Sequence, residues 1–330
     1  MPPVPNISES SAPLLDRKPL VLFAVIDNSG SMSEECGGST GTMEGGTVFN
    51  RLDLVKHTLN TIITSLHPAD QICLIKFSTT AEVFSPLTAL TEPNKLKLKE
   101  KLKYLEPEYQ TNIWEGLKTS LDIVADLPAG QDCNVEIFLL TDGVPNLNPP
   151  RPIVETVQKY IKKHCINYRP NIHTFGYSYG VDSPLLYDLA TAGGGCFGFI
   201  PDSSMVGTVF INSLSNVLVD KDPSLENPVI DSVSSQFCDL LTELLRNGDD
   251  VSRTEAVGQF VDNIESQVVD QRGESKASGD SRAVEFLEAL LLDCKDSSDA
   301  NLGQIFKSVQ PEFFTKWGKH YLHSVLSAFQ

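Results

Sequence analysis

The 330-residue sequence has little of what builds disulfide frameworks, zinc sites or membrane spans. Its seven cysteines occur singly, without a CxxC pair, and several lie inside apolar runs where a thiol packs like a small hydrophobic side chain. This usage argues against a disulfide-dense fold or a cysteine zinc site and predicts reduced thiols in a reducing compartment. No apolar run approaches the ~20 residues that a membrane-spanning helix requires.

Basic residues are also scarce, since 26 Lys and Arg stand against 43 Asp and Glu and leave a formal net charge of −17. That balance argues against duplex nucleic acid as a partner, because phosphate binding requires a basic face. The N-terminal stretch MPPVPNISESSAPLLDRKP has neither a basic start nor an apolar segment. We therefore interpret residues 1–17 as a flexible leader rather than a signal peptide, and expect a cytoplasmic protein.

What is present is an alternation of short apolar runs and helical patterns over residues 18–219. Strand and helix in repeated succession predict an α/β fold: a doubly wound, mostly parallel sheet covered by helices on both faces. The first run, PLVLFAVI, is continuously apolar, as in a strand buried on both faces. The runs DQICLIKFS and TAEVFSPLTAL are too close together for a crossover helix and predict an antiparallel hairpin.

Residues 220–330 follow a different pattern and predict a small, mainly α-helical C-terminal extension. After DPSLENP the alternation stops, and the remaining segments have helical spacing. Within them we interpret DQRGESKASGDS, residues 270–281, as a polar loop. The stretch KWGKHYLHSVLSAF fits either an amphipathic helix that binds a partner or a helix buried against the first domain.

The stretch FAVIDNSGSMSEE places Asp27, Ser29 and Ser31 at alternate positions directly after the first strand. Carboxylate and hydroxyl oxygens are hard ligands, which suit Mg²⁺, Ca²⁺ or Mn²⁺ and are poor ligands for zinc or copper. Three oxygens do not fill an octahedron, so further ligands must come from elsewhere. Candidates are Thr111, which begins a helix, and Asp142, which ends the strand of NVEIFLLTDG. Taken singly, these two also fit a helix N-cap and a turn pair.

The carboxyl ends of parallel strands meet at one edge of a sheet, and ligands of open α/β sheets bind there. The five residues therefore predict a cation site. In this order they resemble a von Willebrand factor type A domain with its metal-ion-dependent adhesion site, in which DxSxS is followed by a threonine and an aspartate. The resemblance covers residues 18–219 and implies a Rossmann-like sheet with one antiparallel edge strand.

The resemblance also implies a role for each residue of the site. Ser29 and Ser31 are expected to contact the cation directly, and Thr111 in some states only. Asp27 and Asp142 are expected to act mainly through bound water. The direct ligands then carry little negative charge. The bound cation, Mg²⁺ or in its place Mn²⁺ or Ca²⁺, can therefore accept an acidic side chain of a partner protein. The implied function is metal-dependent protein–protein interaction, with no bond made or broken.

A looser resemblance extends to YGVDSPLLYDLATAGGGCFGFIPDSSMVGTVFINSLSNVL and FTKWGKHYLHSVLSAF. These stretches look like those of eukaryotic, fungal-type proteins that carry an interaction segment after this domain. Some members continue into a hedgehog/intein-like autoprocessing module. No cysteine here is matched by a terminal His-Asn pair, so we expect no self-splicing. The insert after the serine motif, Glu34 to Asn50, either shapes access to the site or is a solvated loop.

Other interpretations compete with this one. A calcium-binding EF-hand loop starting at Asp27 would need glycine where Met32 stands and glutamate where Gly38 stands. A hydrolase needs a GxSxG elbow and a histidine base, and neither DNSGS nor the spacing of the six histidines supplies them. The glycine-rich stretch GGSTGTMEGG lacks a P-loop lysine. We therefore expect no enzyme, and keep as alternatives a scaffold that binds partners without metal and, behind it, a hydrolase.

Overall fold

A computed structural model describes residues 17–35, 50–108, 110–201, 209, 217, 227–246, 249–278, 281–295 and 304–329. Six strands form one sheet in the order β3-β2-β1-β4-β5-β6. Their bounds are β1 Leu20–Asp27, β2 Gln71–Phe77, β3 Ala81–Ala89, β4 Asn134–Thr141, β5 Asn171–Tyr177 and β6 Gly194–Ile200. Only the edge pair β2–β3 is antiparallel among these strands. The predicted sheet with one antiparallel edge strand is confirmed.

Helices cover both faces of this sheet, which explains why its central strand is continuously apolar. They are α1 Arg51–Ser65, α2 Glu92–Leu102, α3 Ile113–Ala125, α4 Ile153–His164 and α5 Ser183–Gly193. Every residue of β1 is buried. Leu22 and its alternate neighbours pack with α1 and α2, whereas Phe23 and its alternate neighbours pack with α3, α4 and α5. Helix α5 is capped by the following residue, Gly194, whose positive φ of 73° is the left-handed conformation expected of a glycine cap.

The amino edge of the sheet is closed by a buried ion pair. Asp70 is fully buried and accepts hydrogen bonds from both terminal nitrogens of Arg17, at 3.0 and 2.6 Å. Its carboxylate also accepts from the backbone N–H groups of Leu20 and His67. Arg17 is the last residue of the predicted leader, and residues 1–16 lie outside the described residues.

The C-terminal extension is helical, as predicted. Its elements are α6 Pro228–Arg246, α7 Asp250–Ser278, α8 Arg282–Cys294, α9 Gln304–Ser308, α10 Pro311–Phe313, a π-turn Phe314–Gly318 and α11 Lys319–Phe329. They share a core that includes Phe237, Ile264, Leu287 and Leu322. The spacing of apolar residues in SMVGTVFINSLSNVLV, residues 204–219, also predicts a helix, and this stretch lies almost entirely outside the described residues.

The loop predicted for residues 270–281 is wrong over most of its length, because α7 continues to Ser278. The glycine and serines suggested a break, but a single glycine costs a helix only about 1 kcal/mol. The neighbouring glutamine, arginine and glutamate are good helix formers. In addition, Arg272 on α7 donates through Nε to Glu288 of α8 at 3.1 Å, which ties this part of the helix to the bundle.

Helix α11 packs along the edge strand β6. This position shows which of the two alternatives holds for KWGKHYLHSVLSAF, a helix that binds a partner or a helix buried against the first domain. The hydroxyl of Ser327 accepts a hydrogen bond from the backbone N–H of Phe197 at 2.6 Å. The hydroxyl of Ser324 accepts from the N–H of Phe199 at 3.1 Å. An edge strand otherwise leaves such groups unpaired. The segment is therefore buried against the sheet domain.

Replacing Ser327 by alanine is expected to lower the free energy of unfolding by about 1–2 kcal/mol, because it leaves the buried N–H of Phe197 without an acceptor. The measurement is chemical denaturation of the full chain. Ser232→Ala is the matched control, since Ser232 is an exposed helical serine of α6. Equal stability of the two variants would contradict the role of Ser327.

Candidate metal site at the carboxyl edge of the sheet

The site begins where strand β1 ends. Asp27 is fully buried, and its Oδ1 accepts a hydrogen bond from the backbone N–H of Ser29 at 2.8 Å. Its Oδ2 accepts from the hydroxyl of Thr141, the last residue of the adjacent strand β4, at 2.5 Å. A 3-10 turn, Gly30–Ser33, follows and brings the hydroxyls of Ser29 and Ser31 to 3.1 Å from each other. The motif is thus folded back over the strand end.

Thr111 reaches the same edge from the loop before α3. The N-cap reading of Thr111 is wrong, because the side chain of Asn112 caps this helix by accepting from the N–H of Glu115 at 3.3 Å. The backbone of Thr111 is held by Asn146, whose Oδ1 accepts from its N–H at 2.9 Å. The N–H of Asn146 in turn donates to the carbonyl of Thr111 at 3.1 Å. The hydroxyl of Thr111 is left out of the cap.

An open cavity of about 270 Å³ lies over this edge. Its lining residues are Ser31, Arg51, Thr111, Asp142, Val144, Asn146 and Gly180. Three of the five predicted site residues therefore share one cavity. Of the other two, Ser29 is hydrogen-bonded to Ser31, and Asp27 lies buried beneath both.

The buried carboxylate of Asp27 is electrostatically unfavourable as it stands. Burial, followed by the nearby charge of Asp142, raises the pKa of Asp27 to about 7, although hydrogen bonds from Ser29 and Thr141 act in the opposite direction. A cation at this edge would stabilise both carboxylates. The remaining donors are hydroxyl oxygens, so the set fits a hard divalent ion.

The charge at the site is low. In the parts of the chain that the structure describes, no three His, Cys, Asp or Glu side chains cluster in a way that could hold a metal. The five-residue set contains two carboxylates, so a cation bound there would depend on serine and threonine oxygens for the rest.

Arg51 was missed by the sequence reasoning. Its Nη1 lies 2.8 Å from Oδ2 of Asp142 and 3.3 Å from the carbonyl oxygen of Ser31, and its Nη2 lies 2.8 Å from Oε2 of Glu34. One available signal was its position as the first residue of α1, where a basic side chain opposes the helix dipole.

The insert, residues 34–50, is described only at its two ends. Glu35 pairs with Asn50 in an isolated antiparallel bridge, and residues 36–49 lie outside the described residues.

Asn28, Thr141 and Asn146 were also missed as residues that support the site. The backbone N–H of Asn28 donates to the carbonyl of Phe77 at the end of β2, and its side chain donates to the carbonyl of Glu106. The hydroxyl of Thr141 accepts from the N–H of Gly143 while donating to Asp27. Thr141 and Asn146 flank Asp142 in LLTDGVPN, so the aspartate turn itself was the signal.

The structure contains one Ser–His pair that bears on the hydrolase alternative. Ser183 Oγ lies 2.5 Å from Nδ1 of His320, between α5 and α11. The two residues are only 0% and 2% exposed, which leaves no room for a substrate. Burial, with a smaller contribution from Lys319, lowers the pKa of His320 to about 4. This pair joins two helices and does not form a nucleophile site.

Comparison with known proteins agrees with this architecture. Residues 22–144 match the von Willebrand factor type A domain family, and residues 285–330 match the family described as VWA / Hh protein intein-like. The chain therefore contains a von Willebrand factor type A domain, a module that commonly mediates protein–protein interaction. The second match begins within α8 and runs through α11, so it supports the looser resemblance for the last stretch, residues 314–329.

One curated relative is the inter-alpha-trypsin inhibitor heavy chain H4 of Bos taurus, 26% identical over 226 residues. The match covers 66% of this chain and 21% of the relative, so the chain spans about a fifth of that protein's length.

Solved structures with a similar fold include a von Willebrand factor type A protein from Catenulispora acidiphila, at 19% identity and a TM-score of 0.47. The match covers 59% of this chain and 41% of the other protein. The PilB minor pilin from Streptococcus sanguinis is 17% identical, with a TM-score of 0.48 and coverage of 62% and 63%. In the ranges described, no helix is both long and apolar enough to cross a bilayer.

The raised pKa of Asp27 predicts a pH dependence of stability in chelator-treated protein. Because the folded pKa lies above the unfolded value of 3.8, the native state binds the proton more tightly. The free energy of unfolding should therefore fall as pH rises from about 4 to 7, by about 2–4 kcal/mol. Denaturant titrations at several pH values measure this change, and Asp27→Asn should flatten it. Parallel curves for the two proteins would contradict the prediction.

Proposed function

We propose that the cluster of five side chains at the carboxyl edge of the sheet binds a divalent cation, Mg²⁺ in the first place and Mn²⁺ or Ca²⁺ as alternatives. Its members are Asp27, Ser29, Ser31, Thr111 and Asp142. Through that cation, the protein binds an acidic side chain of a partner protein. The observation that carries the proposal is the convergence of Ser31, Thr111 and Asp142 on one open cavity, with the buried Asp27 beneath it.

The roles follow from the positions of the side chains. The hydroxyls of Ser29 and Ser31 supply neutral oxygen ligands, and Thr111 supplies a third. Asp27 orients the serine turn through its hydrogen bond with the N–H of Ser29, and with Asp142 it supplies the negative charge. The cation, when bound, supplies a Lewis-acidic centre that few protein charges neutralise. A carboxylate from outside can then complete its coordination.

A protein partner suits the surroundings of the cavity better than a small anion alone. Val144 lines the cavity and is 56% exposed, and Tyr179, next to the lining residue Gly180, is 39% exposed. Exposed apolar side chains beside a polar site are typical of interaction surfaces. They favour a carboxylate that is presented together with apolar neighbours, as on a protein surface.

We also propose that the protein works in a reducing, cytoplasmic compartment. Six cysteines of the described residues are free. Burial raises the pKa of both Cys73 and Cys294 to about 12, the latter with a smaller contribution from Asp293. Such thiols pack as apolar side chains and are poor nucleophiles.

Cation binding should depend on Ser31 and on the carboxylate of Asp27. Calorimetric titration of the full chain with Mg²⁺ or Mn²⁺ is expected to give binding that Ser31→Ala weakens at least about tenfold and Asp27→Ala abolishes. Ser33→Ala is the matched control, because Ser33 lies in the same turn but its hydroxyl donates to the carbonyl of Gly30 on the exposed side. No heat from the unmodified protein would refute the metal site.

Partner recognition should require a carboxylate. On an array in which every peptide with a central aspartate has an asparagine copy, the protein with Mg²⁺ should bind aspartate peptides preferentially. Chelator or Ser31→Ala should remove that preference, because the cation is the group that distinguishes the carboxylate from the amide. A preference that survives chelator would favour the metal-independent scaffold, with which the Arg51–Asp142 ion pair is also compatible.

A further inference from the structure

Arg51 places a permanent positive charge in the cavity that holds the proposed cation ligands. Its Nη1 donates to Asp142 at 2.8 Å and to the carbonyl oxygen of Ser31 at 3.3 Å. The Arg51 side chain is only 15% exposed, and the Asp142 side chain 6%.

The position of Arg51 carries local costs. As the first residue of α1, it adds positive charge at the end of the helix that is already the positive pole of its dipole. Its Nε is buried and has no hydrogen-bond partner within the described chain. Such a group costs free energy. The side chain is held in spite of this because Asp142 and Glu34 attract it.

The contact of Arg51 with Asp142 brings two cations into competition. A divalent ion that uses Asp142, directly or through water, meets a carboxylate already bound to a guanidinium. Like charges repel more strongly where the side chains are partly buried, as those of Arg51 and Asp142 are. Glu34, whose side chain is 63% exposed, is the other carboxylate that accepts from Arg51, and it can hold the guanidinium when Asp142 binds the ion.

We propose that Arg51 is a built-in counter-ion that occupies Asp142 in the cation-free protein and lowers the affinity of the site for divalent cations. This inference rests on the proposed metal binding and deepens it. The guanidinium keeps the two-carboxylate edge stable without metal. It sets a threshold concentration below which the cation, and with it the acidic partner, does not bind.

The test compares wild type, Arg51→Gln and Arg51→Lys, each as the full chain. MgCl₂ and MnCl₂ are titrated by calorimetry, and thermal unfolding is followed with and without each salt. Arg51→Gln is expected to bind the cation about tenfold tighter, because the competing charge is gone. Its cation-free form should have a lower melting temperature than cation-free wild type. Adding the cation should raise the melting temperature of this variant by more than that of wild type. Arg51→Lys, which keeps the charge, should stay near wild type in affinity.

Arg17→Gln is the matched control. Arg17 is 17% exposed and bonds to a buried carboxylate, Asp70, at the opposite edge of the sheet. This variant should also melt lower but should bind the cation with unchanged affinity. If Arg51→Gln does not fold, Arg51→Met removes the charge while keeping an apolar stem over the same surface.

The outcomes separate the two proposals. Wild-type binding that Arg51→Gln leaves equal or weakens overturns the role of Arg51 and leaves the metal site standing. Equal tightening by Gln and Lys also overturns it. Absence of binding in wild type and every Arg51 variant overturns both proposals. Binding by Arg51→Gln alone supports the competition between Arg51 and the cation but refutes cation binding by the unmodified protein, and with it the proposed function.

Discussion

The carboxyl edge of the sheet depends on the buried carboxylate of Asp27. Its two oxygens join the end of β1 to the serine turn and to Thr141 at the end of β4. The same burial, with the charge of Asp142 nearby, makes the ionised carboxylate costly, as its raised pKa shows. At neutral pH a positive charge at this edge would lower that cost. A guanidinium or a bound cation can supply it.

The two edges of the sheet differ in how a positive charge meets their buried carboxylates. At the amino edge, Asp70 receives four hydrogen bonds, two of them from Arg17, and is fully buried. At the carboxyl edge, Asp142 is paired with one arm of Arg51 but still lines an open cavity. The first arrangement is closed and structural. The second leaves carboxylate and hydroxyl oxygens available, which is what a binding site needs.

The helical extension is part of the same folded unit in this structure. Helix α11 satisfies backbone N–H groups of β6 through Ser324 and Ser327, and His320 joins it to α5. An open sheet edge would otherwise be available for pairing with other chains. The C-terminal segment therefore covers the end of the sheet opposite the β2–β3 hairpin, and the cavity at the carboxyl edge stays exposed.

The local sequence pattern by itself determined the alternation of strands and helices and the hairpin. It also placed the five candidate residues at the boundaries of these elements: Asp27, Ser29, Ser31, Thr111 and Asp142. These features depend on periodicity and on neighbours within a few residues. The pattern failed where a local signal was ambiguous, as in the glycine-containing end of α7 and in the capping of α3 by Asn112. Only the tertiary structure decided which distant groups meet. Arg51 pairs with Asp142, 91 residues away, and Ser327 bonds with Phe197, 130 residues away, because sheet order and helix docking bring them together.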